Sequence, residues 1–234
     1  MVDKAEKEPA LAMAVNAEAP GILAEEVKRI NALLIHFSTD YVYDGTKGTP
    51  YLEGDSPNPL NTYGKSKLAG EHAITAVGCA HLILRASWIY SARRTNFVLT
   101  MLKMAQEKET ISVIDDQVGS PSWAEFLASS TADIVSKMDG PPYNTCGIFH
   151  LSATGHTTRL TFAETIIDLA KLFAKPEIRW AKIVSTSTAN YPLPAARPLF
   201  AATSKAKIQL TFGVEMPTWQ EQLLLFIKNR FDAN

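Results

Sequence analysis

The chain has 234 residues, 46% of them apolar, and a formal net charge of −1 at neutral pH. That is enough for one sizeable domain, or one and a half small ones, around a real core. The balanced charge provides no basic field for nucleic acid and no acidic tail, although a local Arg or Lys suffices to hold a phosphate-bearing small molecule.

The first thirty residues read as helix. DKAEKEPALAMAVNAEAP is rich in Ala, Glu and Lys, and GILAEEVKRINA places Ile22, Val27 and Ile30 on one stripe, with Glu25, Glu26, Lys28 and Arg29 largely outside it. Pro9 and Pro20 suit first turns or kinks. Next, LLIHFSTDYVYDG opens with a short apolar run, residues 33–37, broken only by His36. This is the pattern of a buried parallel strand. It ends in Ser38, Thr39 and Asp40, and polar residues at the C-terminal end of such a strand are where open α/β sheets place ligand sites. Residues 44–60 hold Gly45, Gly48, Gly54, Pro50, Pro57 and Pro59 and read as a loop.

Residues 62–77 return to helical texture, and HLILRASWIY reads as a second buried strand. NFVLTMLKMAQEKE follows as an amphipathic helix, with Phe97, Met101, Leu102, Met104 and Ala105 on its apolar side. TISVIDDQ reads as a third strand, SWAEFLASSTADIVSKM as a helix, GIFHLSATG as a fourth strand and TFAETIIDLAKLFA as a helix. After the proline-rich NYPLPAARP and TSKAKIQLTFG, a last helix covers TWQEQLLLFIKNR. Strand and helix alternate, which argues an α/β fold. The texture grows more irregular from about residue 91, as a smaller second lobe would. Cys79 and Cys146 have no metal-site or redox-motif spacing and read as ordinary thiols in a reducing cytosol. The charged start MVDKAEKEPA lacks a signal-peptide core, and no apolar run approaches the roughly 18–20 residues of a membrane span. A cytoplasmic protein is expected, with no metal and no membrane or nucleic-acid partner.

Tyr63 and Lys67 stand four residues apart in NTYGKSK, so a helix presents them on one face. A free phenol titrates near pKa ~10, and a fixed ammonium beside it favours the phenolate and lowers that value. With Thr39 or Ser38 helping to hold a carbonyl oxygen, the pair forms a proton-transfer device for reducing a carbonyl or oxidising an alcohol. Hydride has no protein source, so such a device implies a nicotinamide cofactor. The plain alternative is a surface Tyr–Lys pair worth about a few tenths of a kcal/mol.

The surrounding motifs bear on that choice. VDKAEKEPALAMAVNAEAPGILA, STDYVYDG, PLNTYGKSKLAGE, LRASWIY, NFVLTMLKMA, VIDDQVGSPS, YPLPAARP and PTWQEQL occur in this order from residue 2 to near the C-terminus. In these motifs the chain resembles the dTDP-4-dehydrorhamnose reductases, a family of extended short-chain dehydrogenases/reductases. The resemblance implies a partial Rossmann-like, doubly wound parallel sheet over residues 1–90. A mixed region, residues 91–234, would complete the sheet and form a smaller nucleotide-sugar lobe. It implies NADPH- or NADH-dependent reduction of the 4-keto group of dTDP-4-dehydro-L-rhamnose, the last step toward dTDP-L-rhamnose. Tyr63 would be the general acid. Lys67 would lower its pKa and, with Tyr63 and Ser38, hold the nicotinamide ribose. Thr39 would bond the keto oxygen, Asp40 and Tyr41 would shape the pocket floor, and Trp88 would pack on the sugar. Asn96 and Arg197 would meet the nucleotide-sugar, Arg197 at its diphosphate.

Two positions depart from the family pattern. Ala196 precedes Arg197 where two arginines are usual, and the bulky Trp123 follows the DQVGSPS turn. A third departure concerns the cofactor. A nicotinamide fold needs a glycine-rich turn after its first strand. Gly45 and Gly48 have part of that spacing, but position 51 is Tyr and no strand-to-helix context surrounds them. The first strands of the sheet are therefore expected to be missing, with weak cofactor binding by the chain alone and an open apolar edge on the strand at 33–37. A homodimer or a complementing N-terminal fragment would cover that edge. The competing readings are a non-catalytic relative, like the regulatory subunit of methionine adenosyltransferase, and an epimerase or dehydratase of the same superfamily.

Overall fold

The computed structural model describes residues 2–138, 140, 141, 143 and 145–232. Residues 1 and 234, the outer limits of the two expected regions, lie outside the described residues. The Ala-rich start folds as α1 (Val2–Lys7), α2 (Pro9–Met13) and α3 (Ala19–Arg29), with a π-helical turn, Ala14–Glu18, between the last two. Pro9 opens α2, where a missing N–H leaves no bond unmade, and Pro20 sits where the π-helical turn passes into α3. Then come β1 (Leu33–Thr39), α4 (Thr62–Val77), β2 (Ala80–Ala86), β3 (Ile89–Tyr90), α5 (Phe97–Glu107), β4 (Thr110–Ile114), β5 (Val118–Gly119) and β6 (Ser122–Trp123). The remainder is α6 (Ala124–Ser136), β7 (Gly147–His150), β8 (Thr157–Thr158), α7 (Arg159–Phe173), β9 (Lys182–Thr186), α8 (Ala206–Phe212) and α9 (Trp219–Asp232).

The principal sheet is parallel, in the order β1-β2-β7, with Leu33 opposite Ala80 and Leu82 opposite Gly147. Its side chains alternate between two helical layers, as strand geometry requires. Leu34 and Ile83 pack with Ala24 and Ile74 of α3 and α4. Leu33, Ile35, Leu82 and Leu84 pack with Leu127 and Ile134 of α6 and Ile208 and Phe212 of α8. Helices on both faces of a parallel sheet make this the doubly wound α/β arrangement. A separate core joins α5, α7 and α9 around Tyr90, Phe162, Trp219 and Phe226.

Three expectations change. The stripe of Ile22 and Ile30 points outward, at 61% and 64% exposed, while Ala5, Ala12, Ala17 and Ala24 are buried. The cause is close helix approach: a Cβ added at Gly70 of α4 would overlap the Asn16 carbonyl. Only small side chains fit such an interface, so the alanine face packs inward. Second, β1 is half-buried rather than buried; among the described residues it pairs only with β2, and Phe37 is 40% exposed. Third, β4 does not join the principal sheet but pairs in parallel with β9. The sequence reading missed β9 because it lies at the surface and lacks a continuous apolar run.

Both cysteines are free, Cys79 buried and Cys146 exposed. Among the described residues no helix is long and apolar enough to cross a membrane, and no cluster of three or more His, Cys, Asp or Glu could hold a metal ion.

Candidate active site

The polar C-terminal end of β1 runs into a single 3₁₀ turn, residues 40–42. Thr39 Oγ1 accepts from the Tyr41 amide at 3.2 Å and donates to Asp40 Oδ1 at 3.1 Å. Ser87 Oγ, just beyond β2, donates to Asp40 Oδ2 at 2.6 Å. Asp40 is 2% exposed, and burial pushes its carboxyl up to about 6 against these bonds and the nearby Arg159 charge. The start of α4 is clamped onto this turn. Asn61 caps the helix by accepting from the Gly64 amide at 2.8 Å. Gly64 presses so close to the Tyr41 carbonyl that a Cβ would overlap it. That contact sets Tyr63 over Thr39, with the Tyr41 and Tyr63 rings edge-to-face at 6.1 Å.

A cavity of about 310 Å³ opens here, lined by Ser38, Thr39, Asp40, Tyr41, Tyr63 and Trp88, with Phe97, Arg159 and Phe162 on its far side. The expected catalytic Tyr63 and Thr39 thus share one slot at the strand ends. Burial raises the Tyr63 phenol above its ordinary value, opposed by its hydrogen bond with Thr39. The expected lowering by Lys67 does not hold in this arrangement, because the ammonium faces elsewhere. Lys67 Nζ donates to the Phe37 carbonyl at 2.6 Å and lies 3.0 Å from His36 Nε2. Burial lowers Lys67 to about 8, against the attraction of Glu71. Ser38 Oγ donates to Glu71 Oε1 at 2.5 Å.

Trp88 holds its backbone at φ 41°, a left-handed conformation that costs a bulky residue about 1–3 kcal/mol. Its indole lies against Gly119, where a Cβ would overlap the ring, and the Arg159 guanidinium stands 4.2 Å above it. Gly119 belongs to the DQVGSPS turn, so that motif serves to seat the tryptophan. Asn96 is the cap of α5: it accepts from the Leu99 amide at 3.1 Å and donates to the Ser91 carbonyl at 2.7 Å, and its neighbour Phe97 reaches the cavity. Arg197 pairs with Asp3 at 2.7 Å and lines a second cavity, of about 320 Å³. Trp123 is buried against Phe126 and Phe226 and belongs to the core.

The sequence reading missed Arg159. It lines both cavities, donates to Gln117 Oε1 at 2.9 Å, bonds Tyr41 and stacks on Trp88. It also stands at the N-terminus of α7, where a cation opposes the helix dipole by about 0.3–1 kcal/mol. A cation breaking that local rule was the available signal. With Arg197 it presents two guanidinium groups to the second cavity, although Ala196 replaces one expected arginine.

Comparison with known proteins bears on what this site belongs to. Residues 1–231 match the family model described as the RmlD substrate binding domain. A dTDP-4-dehydrorhamnose reductase of Burkholderia thailandensis is 38% identical over 97% of this chain and 78% of its own length. One from Escherichia coli is 40% identical over 94% of this chain and 73% of its own. The chain belongs to the dTDP-4-dehydrorhamnose reductase family. A crystal structure of the reductase from Bacillus anthracis in complex with NADP superposes with a TM-score of 0.89 at 32% identity, covering 98% of this chain and 77% of that one. The reductase from Clostridium acetobutylicum gives 0.89 at 31%. The family is one of oxidoreductases, and the doubly wound sheet is its Rossmann-like core. A nicotinamide ring fits the residues present: the slot combines apolar Ala86, Ile89 and Phe97 with Tyr63 and Thr39.

Proposed function

We propose that this reductase converts the 4-keto group of dTDP-4-dehydro-L-rhamnose to the alcohol of dTDP-L-rhamnose, in the slot beside Tyr63. The convergence of the Tyr63 and Thr39 hydroxyls at the C-terminal ends of β1 and β2 carries the reading. When bound, NADPH supplies the hydride. Tyr63 donates its proton to the carbonyl oxygen as negative charge builds there. Burial keeps the phenol protonated at neutral pH, and the developing alkoxide is the stronger base. Thr39 is held by the Tyr41 amide and can turn its hydrogen from Asp40 to the same oxygen, a second donor aimed at the developing charge. Tyr63 would meet the nicotinamide ribose, while Ser38 and Lys67, whose polar ends bond Glu71, the Phe37 carbonyl and His36, would brace the end of β1 beneath it. Asp40 and Tyr41 form the floor of the slot and Trp88 its sugar-facing wall, while Arg159 and Arg197 would meet the diphosphate in the second cavity. Asn96 acts by fixing the start of α5. In this reading residues up to 90 form the cofactor side, and those from 91 complete the sheet and form the nucleotide-sugar side. The open side of β1, with the apolar groove of Phe37, Ile89, Leu127 and Val135, is the surface that a second copy or a strand-bearing partner chain would cover.

The test is turnover of NADPH and the keto sugar by the chain and by Tyr63→Phe, with calorimetric titration of NADPH and NADH alongside. A loss of about 10²–10⁴ in kcat with retained binding is expected. Undiminished turnover by Tyr63→Phe would overturn the assignment, and cofactor binding without turnover would favour the non-catalytic, regulatory-subunit-like reading.

A further inference from the structure

None of the roles above uses His36. It lies on the face of β1 that carries Leu34 and Ser38, turned toward α4, with Nε2 3.0 Å from Lys67 Nζ. We infer that His36 is a positioning residue of the reductase site: its neutral imidazole accepts a hydrogen bond from Lys67 and holds the lysine at the end of β1, an inference that rests on the reading of Lys67 given above. An ammonium has donors and no acceptor, so the bond exists only if Nε2 presents its lone pair. The ring proton is then on Nδ1. A protonated imidazole would set two donors and two positive charges against each other at hydrogen-bond distance.

The charges around the ring agree. From α4 it faces Lys67 and Glu71. Glu71 is engaged by Arg85 of β2 and by Ser38. On α3, Glu25, Glu26, Lys28 and Arg29 are exposed; Arg29 pairs with Glu26, and Lys28 donates to the Val77 carbonyl. Lys67 is therefore the cation beside the ring. Burial first, then Lys67, lower His36 to about 4, with Glu71 opposing. Lys67 is thus held by two acceptors, His36 Nε2 and the Phe37 carbonyl, both on β1. The strand that supplies Ser38 and Thr39 to the slot also fixes the lysine on the adjoining helix.

The test is ¹⁵N NMR of the imidazole rings in the whole chain, with His36 assigned by correlation to its own backbone resonances. At neutral pH the expected state is Nδ1–H with an unprotonated Nε2, persisting as the pH falls to 5. In Lys67→Met the midpoint should rise by about one pH unit, as loss of a neighbouring like charge requires. Labelled lysine should show the Lys67 midpoint lowered by about one unit in His36→Leu and restored in His36→Gln, which keeps an acceptor. An Nε2–H tautomer at neutral pH, or midpoints unmoved by these substitutions, would overturn the inference. If the variants do not fold, the tautomer in the unsubstituted chain decides by itself. Turnover does not enter these readings: an Nδ1–H ring in an inactive chain would count against the reductase mechanism and leave the Lys67–His36 contact standing.

Discussion

Replacing Glu71 by Gln should be among the most damaging single changes in this protein. Glu71 and Arg85 are 1% and 2% exposed. Glu71 Oε1 accepts from Arg85 Nε at 2.9 Å and from Ser38 Oγ at 2.5 Å, and Oε2 accepts from Arg85 Nη2 at 2.5 Å. The remaining side of the guanidinium donates through Nη1 to the Tyr43 hydroxyl at 2.7 Å, which meets His150 Nε2 at 2.8 Å. Burial alone would disfavour the charge on Arg85; the bonds and charge of Glu71 outweigh it and raise the pKa. A Gln at 71 turns an amide donor toward the guanidinium and leaves a buried cation without its counter-charge. Breaking such a pair costs about 3–5 kcal/mol. Since the two groups act together, Glu71→Gln with Arg85→Met should cost less than the sum of the single changes, by about 1–3 kcal/mol. Urea unfolding followed by fluorescence, with the slope checked for constancy, reads both quantities. A loss below about 1 kcal/mol for Glu71→Gln, or strict additivity of the pair, would refute the claim that this ion pair ties α4 to the site strands.

Asp40 makes stability depend on pH. Its folded carboxyl, at about 6, lies above the ordinary 3.8, so its contribution is most favourable at low pH and falls as pH rises from about 4 to about 6. That loss is about 3 kcal/mol at most, and Asp40→Asn should flatten it in unfolding curves measured across that range; an unchanged slope would place the effect elsewhere. Arg159→Ala should raise KM for the nucleotide sugar about 10- to 100-fold, the worth of a charge-assisted bond, with kcat changed far less; an unaltered KM would remove Arg159 from the substrate site. Gly119→Ala should destabilise by about 1–3 kcal/mol by pushing on the Trp88 indole, while Gly70→Ala, which meets the Asn16 carbonyl, should cost at least as much in the same urea assay. A neutral Gly70→Ala would contradict the close packing of α4 on the first helices.

Local pattern carried much of this protein. The helical texture of residues 62–77 and the spacing that put Tyr63 and Lys67 on one helix are properties of a few adjacent residues, and α4 covers that stretch as expected. The apolar run followed by Ser38 and Thr39 likewise marked both a parallel strand and the polar end that lines the cavity, because backbone periodicity and polar termini are written locally. The tertiary structure alone decided which face of the N-terminal helices is buried, since that depends on how near Gly70 lets another helix approach. It decided that β4 pairs with β9, a partner remote in sequence and without an apolar run of its own. It placed Arg159 over Trp88 and turned Lys67 toward His36. Each of these depends on a contact between segments far apart in the chain, and a side chain's partner across such a distance is set by packing and charge, which no short stretch of sequence encodes.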